Sequence, residues 1–508
     1  GGIGTYVRAR NESNADVGDK ANDPIRITAS QLRAKVVGEG ANLGMTQKAR
    51  IEYGKSGGRC NSDAIDNSAG VNSSDVEVNI KIALAAAMRK DGLTREKRNR
   101  LLSDMTEEVA RLVLRNNYLQ SLAISLALDR GTNDLGHQER LMEALEDRGL
   151  LDRDVEELPS TQEIVDRQKE GRCLTRAEIG VLLAYSKIVL FDDLVASNLP
   201  DEPVFGPDLE AYFPDRMVKR HGEHIHGHRL RREIIATQLA NDTINRGGPS
   251  FVSRLQDLTG RSASEIVAAF YTVREGYELR PLYEQIDALD SKIEGQAQLE
   301  LYQGVGRLVH AQTAWFLKND MDASSIEARI EHLRQARKAL EPKLGSMLPE
   351  FTQERLEERA HTLFRDGAPE ELARRIAFLH VSELIPDMVQ VAAKAEAELI
   401  VSAKAFFEVT QVFRIGRIAD AARSIGVTDY YEGLALTRAT DGIGAARRDI
   451  AAAALRAYPK SNQPVMEWLE AGGEAIERTR RRLQALTETG DITVAKLSVA
   501  AGLMTDLT

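Results

Sequence analysis

The residue types best suited to binding a small polar or anionic ligand are concentrated between residues 35 and 82. A glycine-rich turn that contains Gly40 would let the backbone approach a ligand closely, and Asn42 at its end offers a hydrogen-bond donor and an acceptor. Farther along, Ser73 or Ser74 precedes the acidic first turn of a predicted helix. The free backbone N–H groups at such a helix N-terminus can bind a carboxylate or a phosphate.

Both features also have a simpler structural interpretation. The same glycines are typical of an ordinary turn, closed by an asparagine such as Asn42 that hydrogen-bonds its own backbone. A serine at position 73 or 74 is typical of a helix cap that binds no ligand. Residue spacing alone favours the simpler interpretation at both places.

The elements predicted around these residues are two short β-type runs, two turns and one long helix. Residues 36–37 form the first run and residues 51–53 the second. Between them a short helix is predicted over residues 46–50, with Thr46 as its cap. The long helix begins after the serine pair and ends at Gly92. The polar residues therefore lie at the ends of the elements, where binding sites are commonly built.

Long amphipathic helices dominate the remainder of the chain. Apolar residues recur there at spacings of three and four, and no period of about 20 to 50 residues repeats, so a solenoid is not indicated. The adjacent asparagines at residues 116–117 are predicted to end the first of these helices, and residues 11–23 are predicted to form a surface loop. Further helices are predicted over residues 138–147, 160–170, 175–196 and 229–246.

Composition and charge limit the class of protein. The 508 residues are 43% hydrophobic, which is enough for a sizeable core, and the net charge of −10 argues against a general nucleic-acid or anionic-membrane surface. Two cysteines, Cys60 and Cys173, are too few for a disulfide framework, and no run of about eighteen apolar residues occurs. We therefore expect a cytoplasmic protein with neither a nucleic-acid nor a membrane partner.

Because the chain lacks an initial Met, we also expect it to be the C-terminal piece of a longer protein.

Four histidines lie close together at positions 221, 224, 226 and 228. On a helix, His224 and His228 would share a face and could resemble a zinc site. However, the sequence has no H-E-x-x-H motif, two glycines weaken the predicted helix, and no cysteine lies nearby. We therefore predict a solvated, basic loop and no metal site.

Several motifs resemble those of the large bacterial NAD-dependent glutamate dehydrogenases. EGAN at residues 39–42, TQ at residues 46–47 and DNSAGVNSSDVEVNIKI at residues 66–82 are similar to the end of the catalytic region of that family. LTRAEIGVLLAYSKI at residues 174–188 and HRLRREIIAT at residues 228–237 resemble its C-terminal region.

The resemblance implies roles for particular residues. In this family the asparagine of the EGAN turn lies beside the nicotinamide end of the cofactor, which implies a cofactor-binding turn formed by Gly40, Ala41 and Asn42. The asparagine that hydrogen-bonds the nicotinamide carboxamide corresponds to Asn67. The valine and serine that line the substrate side-chain pocket correspond to Val71 and Ser74, with the serine hydroxyl reaching the γ-carboxylate. The resemblance thus favours ligand contacts over simple caps.

The chain departs from the general family pattern at several positions of the second motif. Ser68 stands where alanine is usual, Ala69 where glycine is usual, and Asn72 with Ser73 replaces a Thr-Val pair. The loss of a glycine leaves the loop conformation at residues 67–74 open. The four-residue spacing from Asn67 to Val71 is intact.

The resemblance also implies a mainly α fold with two parts. Residues 1–90 would be the end of the catalytic domain, a short α/β remnant of a Rossmann-like dinucleotide-binding domain. Residues 91–508 would form a large α-helical domain, with a subdivision near residues 345–370.

The activity implied is that of an oxidoreductase of amino-acid catabolism, with NAD as cofactor and with L-glutamate, 2-oxoglutarate and ammonium as its small-molecule partners, in a homo-oligomer. The lysine, the aspartate and the G-x-G-x-x-G turn that the family uses have no candidate in the sequence. We therefore expect no catalytic residue in this chain and no activity from it alone. A non-catalytic helical assembly or regulatory module is the alternative.

Overall fold

A computed structural model describes residues 4–40, 42–319, 325–427, 430–488 and 492–507. The chain divides into two compact units. The first unit comprises Gly1–Phe270 with Phe316–Met321, and the second comprises Tyr271–Trp315 with Asp322–Thr508. This division does not test the predicted domain boundary at residue 90, which stays a prediction.

The predicted mainly α fold is confirmed, because helices form most of the described chain and the strands are very short. Strand β1 is Val7–Arg8 and strand β2 is Ile27–Thr28. In chain order the helices of the first 259 residues are α1 Asn14–Val17, α2 Gln47–Lys55, α3 Asp63–Asp66, α4 Ser68–Lys90, α5 Arg95–Asp104, α6 Thr106–Arg130, α7 Leu135–Asp147, α8 Thr161–Lys169, α9 Arg176–Ala196, α10 Gly206–Ala211, α11 Asp215–His226, α12 Arg231–Gly247 and α13 Phe251–Thr259.

The helices that follow extend to the end of the described chain. They are α14 Ala263–Gly276, α15 Leu279–Asp287, α16 Gly295–Asn319, α17 Ile326–Leu344, α18 Glu350–Arg365, α19 Glu370–Ser382, α20 Ile385–Ala395, α21 Leu399–Val412, α22 Ile415–Arg423, α23 Tyr430–Ala457, α24 Pro464–Ala471, α25 Gly473–Glu488 and α26 Val494–Thr505. The four helices predicted between residues 138 and 246 correspond to α7, α8, α9 and α12, with ends shifted by up to three residues.

A small parallel sheet opens the first unit. β1 pairs with β2 in the register Val7 to Ile27, and Val7 also forms a bridge with Met45. A second isolated bridge joins Val36 to Arg59, so the predicted β-type run at residues 36–37 contributes a single pairing. Buried side chains beneath the sheet form a small core: Val7, Ala29, Met45, Ala49, Tyr53 and Cys60.

The prediction of a second β-type run at residues 51–53 is wrong. These residues lie in α2, which Thr46 caps as predicted by accepting a hydrogen bond from the Ala49 N–H. The helix continues to Lys55 because Ile51 and Tyr53 bury their side chains while the helical hydrogen bonds are kept. Burial in tertiary structure therefore overrides the β preference of a short run.

Three other local predictions are corrected. Residues 11–23 include α1, because Ser13 and Asp16 form a reciprocal capping box. Asn116 and Asn117 do not end a helix, because α6 runs through them and their side chains donate hydrogen bonds to α4 and to the end of α3. The long helix starts at Ser68, so the serines at 73 and 74 lie inside it and cap nothing.

The core of the second unit is formed by packed helices. Buried residues from α17, α20, α21, α23 and α26 contribute to one cluster, including Leu340, Met388, Phe406, Ile450 and Met504. Among the described residues, Glu370–Ala395 is long and apolar enough to cross a membrane by length and composition. That stretch is divided between α19 and α20, and 56% of its most apolar window is buried within the protein. The apolar residues of this stretch are therefore explained by two helices that pack in the core of the second unit.

His137 in α7 gives the first unit a predicted pH dependence. Burial lowers the pKa of His137 to about 4, and the charges of Arg254 and Arg130 act in the same direction. The unfolded chain, with a histidine pKa near 6.5, binds more protons between pH 6.5 and 4, so stability should fall as the pH drops through that window. We expect a loss of about 3 kcal/mol, measured by urea unfolding as a function of pH. His137→Gln should flatten the slope, and an unchanged slope would contradict the assignment.

Candidate functional site

Three hydrogen bonds join the EGAN turn to the segment that begins at Asp63. The Asn67 side-chain amide donates to Oδ1 of Asn42 over 3.0 Å. The backbone N–H of Glu39 donates to Oδ2 of Asp66 over 3.0 Å, and that of Leu43 donates to Oδ2 of Asp63 over 2.8 Å. Segments about 25 residues apart in sequence thus form one polar surface, and the two asparagines lie at its centre.

A buried ion pair between Glu39 and Arg50 holds the EGAN turn in place. Glu39 and Arg50 are only 6% and 4% exposed. The guanidinium donates to the carboxylate over 2.6 and 3.0 Å, and the Met45 N–H donates to the same carboxylate over 3.0 Å. Burial opposes the charge on Arg50, but the hydrogen bonds and negative charge of Glu39 and the charge of Asp63 raise its pKa overall. The pair therefore fixes the turn from within the protein.

A second chain of hydrogen bonds connects the site to the start of α9. Asn61 donates to Oδ1 of Asp66 over 2.8 Å and accepts from Nε of Arg176 over 2.9 Å. Arg176 also donates to the hydroxyl of Ser125 in α6 over 2.9 Å. Since Asp66 holds the EGAN turn, α6 and α9 both orient that turn indirectly.

Asn67 lies at the junction of α3 and α4. It follows the last residue of α3 and immediately precedes Ser68, and its side chain caps neither helix. One hydrogen of the Asn67 amide is donated to Asn42, and the second is available at the N-terminus of a 23-residue helix, where the dipole is positive. Gly70 is tightly placed beside it, because a Cβ there would lie 2.8 Å from Oδ1 of Asn67.

Val71 and Ser74 follow Asn67 on the same face of α4, at spacings of four and seven residues. Val71 is 61% exposed and Ser74 is exposed. The Ser74 hydroxyl forms no hydrogen bond with the residues that the structure describes, whereas the neighbouring Ser73 hydroxyl donates to the Ala69 carbonyl over 2.8 Å. Ser74 can therefore donate to a ligand without first breaking an internal bond.

Two residues of the EGAN turn are exposed to solvent. They are Asn42 and Gly40, and a Cβ on Gly40 would meet no atom within 4 Å. Ala41 lies outside the described residues. The structure therefore brings Asn42 and Asn67 into contact, places Val71 and Ser74 one and two turns farther along α4, and leaves Gly40 at the edge of the turn.

Amide side chains pack behind the first turn of α4. Asn117 and Gln120 donate to the Ser68 hydroxyl over 3.0 and 3.2 Å, and Asn116 donates to Oδ1 of Asn72 over 2.9 Å. They border a cavity of about 110 Å³ lined by Ser68, Asn72, Asn116, Gln120, Asn241 and Asn245. Ser68 and Asn72 are departures from the usual family pattern, and both are held by amides of α6.

Two groups with shifted pKa values do not act as an acid or base at this surface. Burial raises the pKa of the Cys60 thiol to about 12, so the thiol stays protonated near neutral pH. Burial lowers the pKa of Lys187 to about 7, but its ammonium nitrogen is enclosed within the protein. The surface can bind and orient a ligand through neutral amides and a hydroxyl.

The predicted solvated histidine loop is wrong. His221, His224 and His226 lie in α11, and His224 and His228 are buried. Nε2 of His224 lies 2.6 Å from Oδ2 of Asp91, and Nε2 of His228 lies 3.2 Å from the Asn79 carbonyl. A cluster of polar histidines is typical of an exposed loop, and the sequence alone does not reveal that two of them pack against α4 and are buried.

Comparisons with known proteins match almost the whole chain. A family model described as "Glutamate dehydrogenase, C-terminal" matches residues 171–506, more than half of the 508 residues. A second one, described as "Bacterial NAD-glutamate dehydrogenase, catalytic domain", matches residues 1–127. The chain belongs to the bacterial NAD-glutamate dehydrogenase family. The joined asparagines lie within the part of the chain that matches the catalytic-domain model.

Curated relatives support the same family. The NAD-specific glutamate dehydrogenase of Pseudomonas aeruginosa is 39% identical over 513 residues, covering 100% of this chain and 32% of the relative. That of Halomonas elongata is 38% identical, covering 87% of this chain and 27% of the relative. That of Mycobacterium tuberculosis is 33% identical, covering 99% and 31%. The chain thus spans about a third of the length of these glutamate dehydrogenases.

Sequence reasoning missed the residues that hold this polar surface together. Asp63 and Asp66 lie in a polar run, which signalled a loop and gave no partner. Leu43 has a φ of 61°, a conformation that costs a leucine about 1 to 3 kcal/mol and that sequence does not reveal. Its N–H bond to Asp63 helps to hold it, and such strain is typical of a binding site.

Proposed function

We propose that the chain is part of an NAD-dependent glutamate dehydrogenase that oxidatively deaminates L-glutamate to 2-oxoglutarate and ammonium while NAD is reduced. The observation that carries the proposal is the contact between Asn42 and Asn67. It unites two family motifs in one exposed polar surface within the match to the catalytic domain.

Asn67 and Asn42 suit the carboxamide of a nicotinamide ring. An asparagine amide offers one acceptor and two donors, which complement a carboxamide, and Asn67 is not used as a cap. In the proposed complex Asn67 hydrogen-bonds the carboxamide, and Asn42, with Gly40 and Ala41, forms the turn beside the ring. Bound NAD supplies the hydride acceptor. The residues of this chain fix the orientation of the ring.

Val71 and Ser74 suit the side chain of glutamate. Val71 would contact its methylene groups, and the Ser74 hydroxyl would donate to the γ-carboxylate. The reaction also needs an acid or base at the substrate nitrogen and carbon, and none of the family motifs in this chain supplies one. We therefore expect the chain alone to show no turnover.

The same proposal includes the finer organisation of the protein. Strands β1 and β2 are parallel, which supports a remnant of a Rossmann-like domain within residues 1–90, followed by a helical domain at residues 91–508. We also propose that the protein forms a homo-oligomer in the cytoplasm and has neither a nucleic-acid nor a membrane partner.

The test is an assay of NADH formation from L-glutamate by the natural full-length protein. Asn67→Ala should raise the KM for NAD, because a carboxamide hydrogen bond is lost, whereas Asn99→Ala on the exposed surface of α5 should leave it unchanged. Equal kinetics in both variants would contradict the assignment of Asn67. Absence of glutamate-dependent NADH formation by the wild-type protein would contradict the proposed function.

Gly70→Ala should separate cofactor binding from stability. The added Cβ would lie 2.8 Å from Oδ1 of Asn67 and displace that amide, which should raise the KM for NAD about fivefold through loss of one hydrogen bond. The melting temperature should stay constant or rise, because alanine is the better helix former. Gly136→Ala in α7 is the matched control, since a Cβ there meets nothing within 4 Å. An unchanged KM for NAD in Gly70→Ala would show that Asn67 does not bind cofactor through this amide.

A further inference from the structure

Three side chains with metal-binding atoms converge at the C-terminal end of α4. They are Asp91, which directly follows the helix, and His221 and His224 of α11. One ligand atom from each lies within 4.8 Å of the others, and Nε2 of His224 is 2.6 Å from Oδ2 of Asp91. This combination differs from the His224 and His228 pair that the sequence spacing indicated.

A kink in α11 shapes the cluster. His221 has φ and ψ of −138° and 29°, which interrupts the helix, and the rings of His221 and His224 lie with centroids 6.2 Å apart. His228 is directed elsewhere, to the Asn79 carbonyl. The arrangement therefore depends on a local break that a regular helical repeat does not predict.

We propose that Asp91, His221 and His224 bind a divalent transition-metal ion of the zinc type. Two imidazoles and one carboxylate are a ligand set that Zn²⁺ accepts, with bonds of about 2.0 to 2.2 Å and one position left for water or another ligand. Such bonds place ligand atoms about 3.3 Å apart in a tetrahedral site. Asp91 can make the required adjustment, because its side chain is 57% exposed.

Local charge has two effects on this ion. Asp91 and the negative end of the α4 dipole favour a cation. His221 also lines a cavity of about 310 Å³ whose other lining residues are Leu93, Lys97, Arg100, Leu101, Asp104 and Arg220. Lys97, Arg100 and Arg220 form no ion pair with the part of the chain that the structure describes. These cations oppose the metal itself but attract an anion, so the open position should accept an anionic ligand.

The proposed site is independent of the dehydrogenase assignment. It lies at the opposite end of α4 from Asn67, about 35 Å away along a helix of 23 residues. Its role there would be to connect α4 to α11. Metal binding can therefore fail or succeed without any change in the assay for glutamate oxidation.

The test is metal binding by the natural full-length protein after chelation and dialysis. Equilibrium dialysis with Zn²⁺ should show one more bound ion per chain in the wild type than in His221→Ala or Asp91→Asn. Co²⁺ should give a visible absorption band that both variants lose. His226→Ala is the matched control, because His226 lies in the same helix but is exposed and contacts Glu210.

The outcomes are distinct even if a variant is unstable. His224 is buried, so His224→Ala could unfold the region, whereas His221 and Asp91 are more exposed and their variants should keep the wild-type circular dichroism spectrum. Loss of one ion in these two folded variants, with retention in His226→Ala, would support the site. Equal Zn²⁺ stoichiometry in the wild type and His221→Ala would overturn it.

Discussion

Glu39→Gln should destabilise the first unit by about 3 kcal/mol, because it leaves the buried Arg50 charge with Asp63, 3.4 Å away, in place of the two short bonds to Glu39. The glutamine would also weaken the bond from the Met45 N–H, which Oε1 of Glu39 now accepts. Since Glu39 belongs to the EGAN turn itself, the loss should also displace Asn42 and so raise the KM for NAD in the natural full-length protein. Urea unfolding monitored by circular dichroism measures the effect.

A matched control separates burial from charge. Glu77 pairs with Lys81 on the surface of α4, where both side chains are about half exposed. Glu77→Gln should change the free energy of unfolding by less than about 0.5 kcal/mol. If Glu39→Gln were as mild as Glu77→Gln, the buried pair would not be what holds the turn.

Ser74→Ala should lower kcat/KM for glutamate about 10- to 150-fold in the natural full-length protein, with the KM for NAD unchanged. This range corresponds to the loss of a hydrogen bond to a charged carboxylate, about 1.5 to 3 kcal/mol. Steady-state kinetics with glutamate and NAD varied separately would measure it. The effect should be specific to glutamate because Ser74 is two helical turns from Asn67.

Ser73→Ala is the control that the chain itself offers. Ser73 is also exposed in α4, but its hydroxyl is already bonded to the Ala69 carbonyl, so its removal should leave kcat/KM within about twofold. Equal losses in both variants would indicate a general disturbance of α4. No loss in Ser74→Ala would remove Ser74 from the site.

Much of the fold follows from local chemistry in the sequence. Thr46, Ser160 and Thr175 each accept a hydrogen bond from the third residue of the helix that they cap, and each helix was predicted to start there. The strands were less predictable. Val7 pairs with Ile27 and Met45, and pairing between distant short segments leaves little periodic signal.

The candidate site was predictable only through the family resemblance. Spacing alone favoured turns and caps, and it gave no reason to place Asn67 beside Asn42. The pairing of Glu39 with Arg50 depends on how α2 folds back under the turn. The histidines show the reverse case, in which polarity indicated a solvated loop and packing against α4 buried two of them.

The most direct test of the central claim is a crystal structure of the natural full-length protein with NAD and 2-oxoglutarate bound. We predict the nicotinamide carboxamide within hydrogen-bonding distance of the Asn67 side chain, and the carboxylate of the substrate side chain within that distance of the Ser74 hydroxyl. A nicotinamide ring bound away from Asn42 and Asn67 would contradict the account.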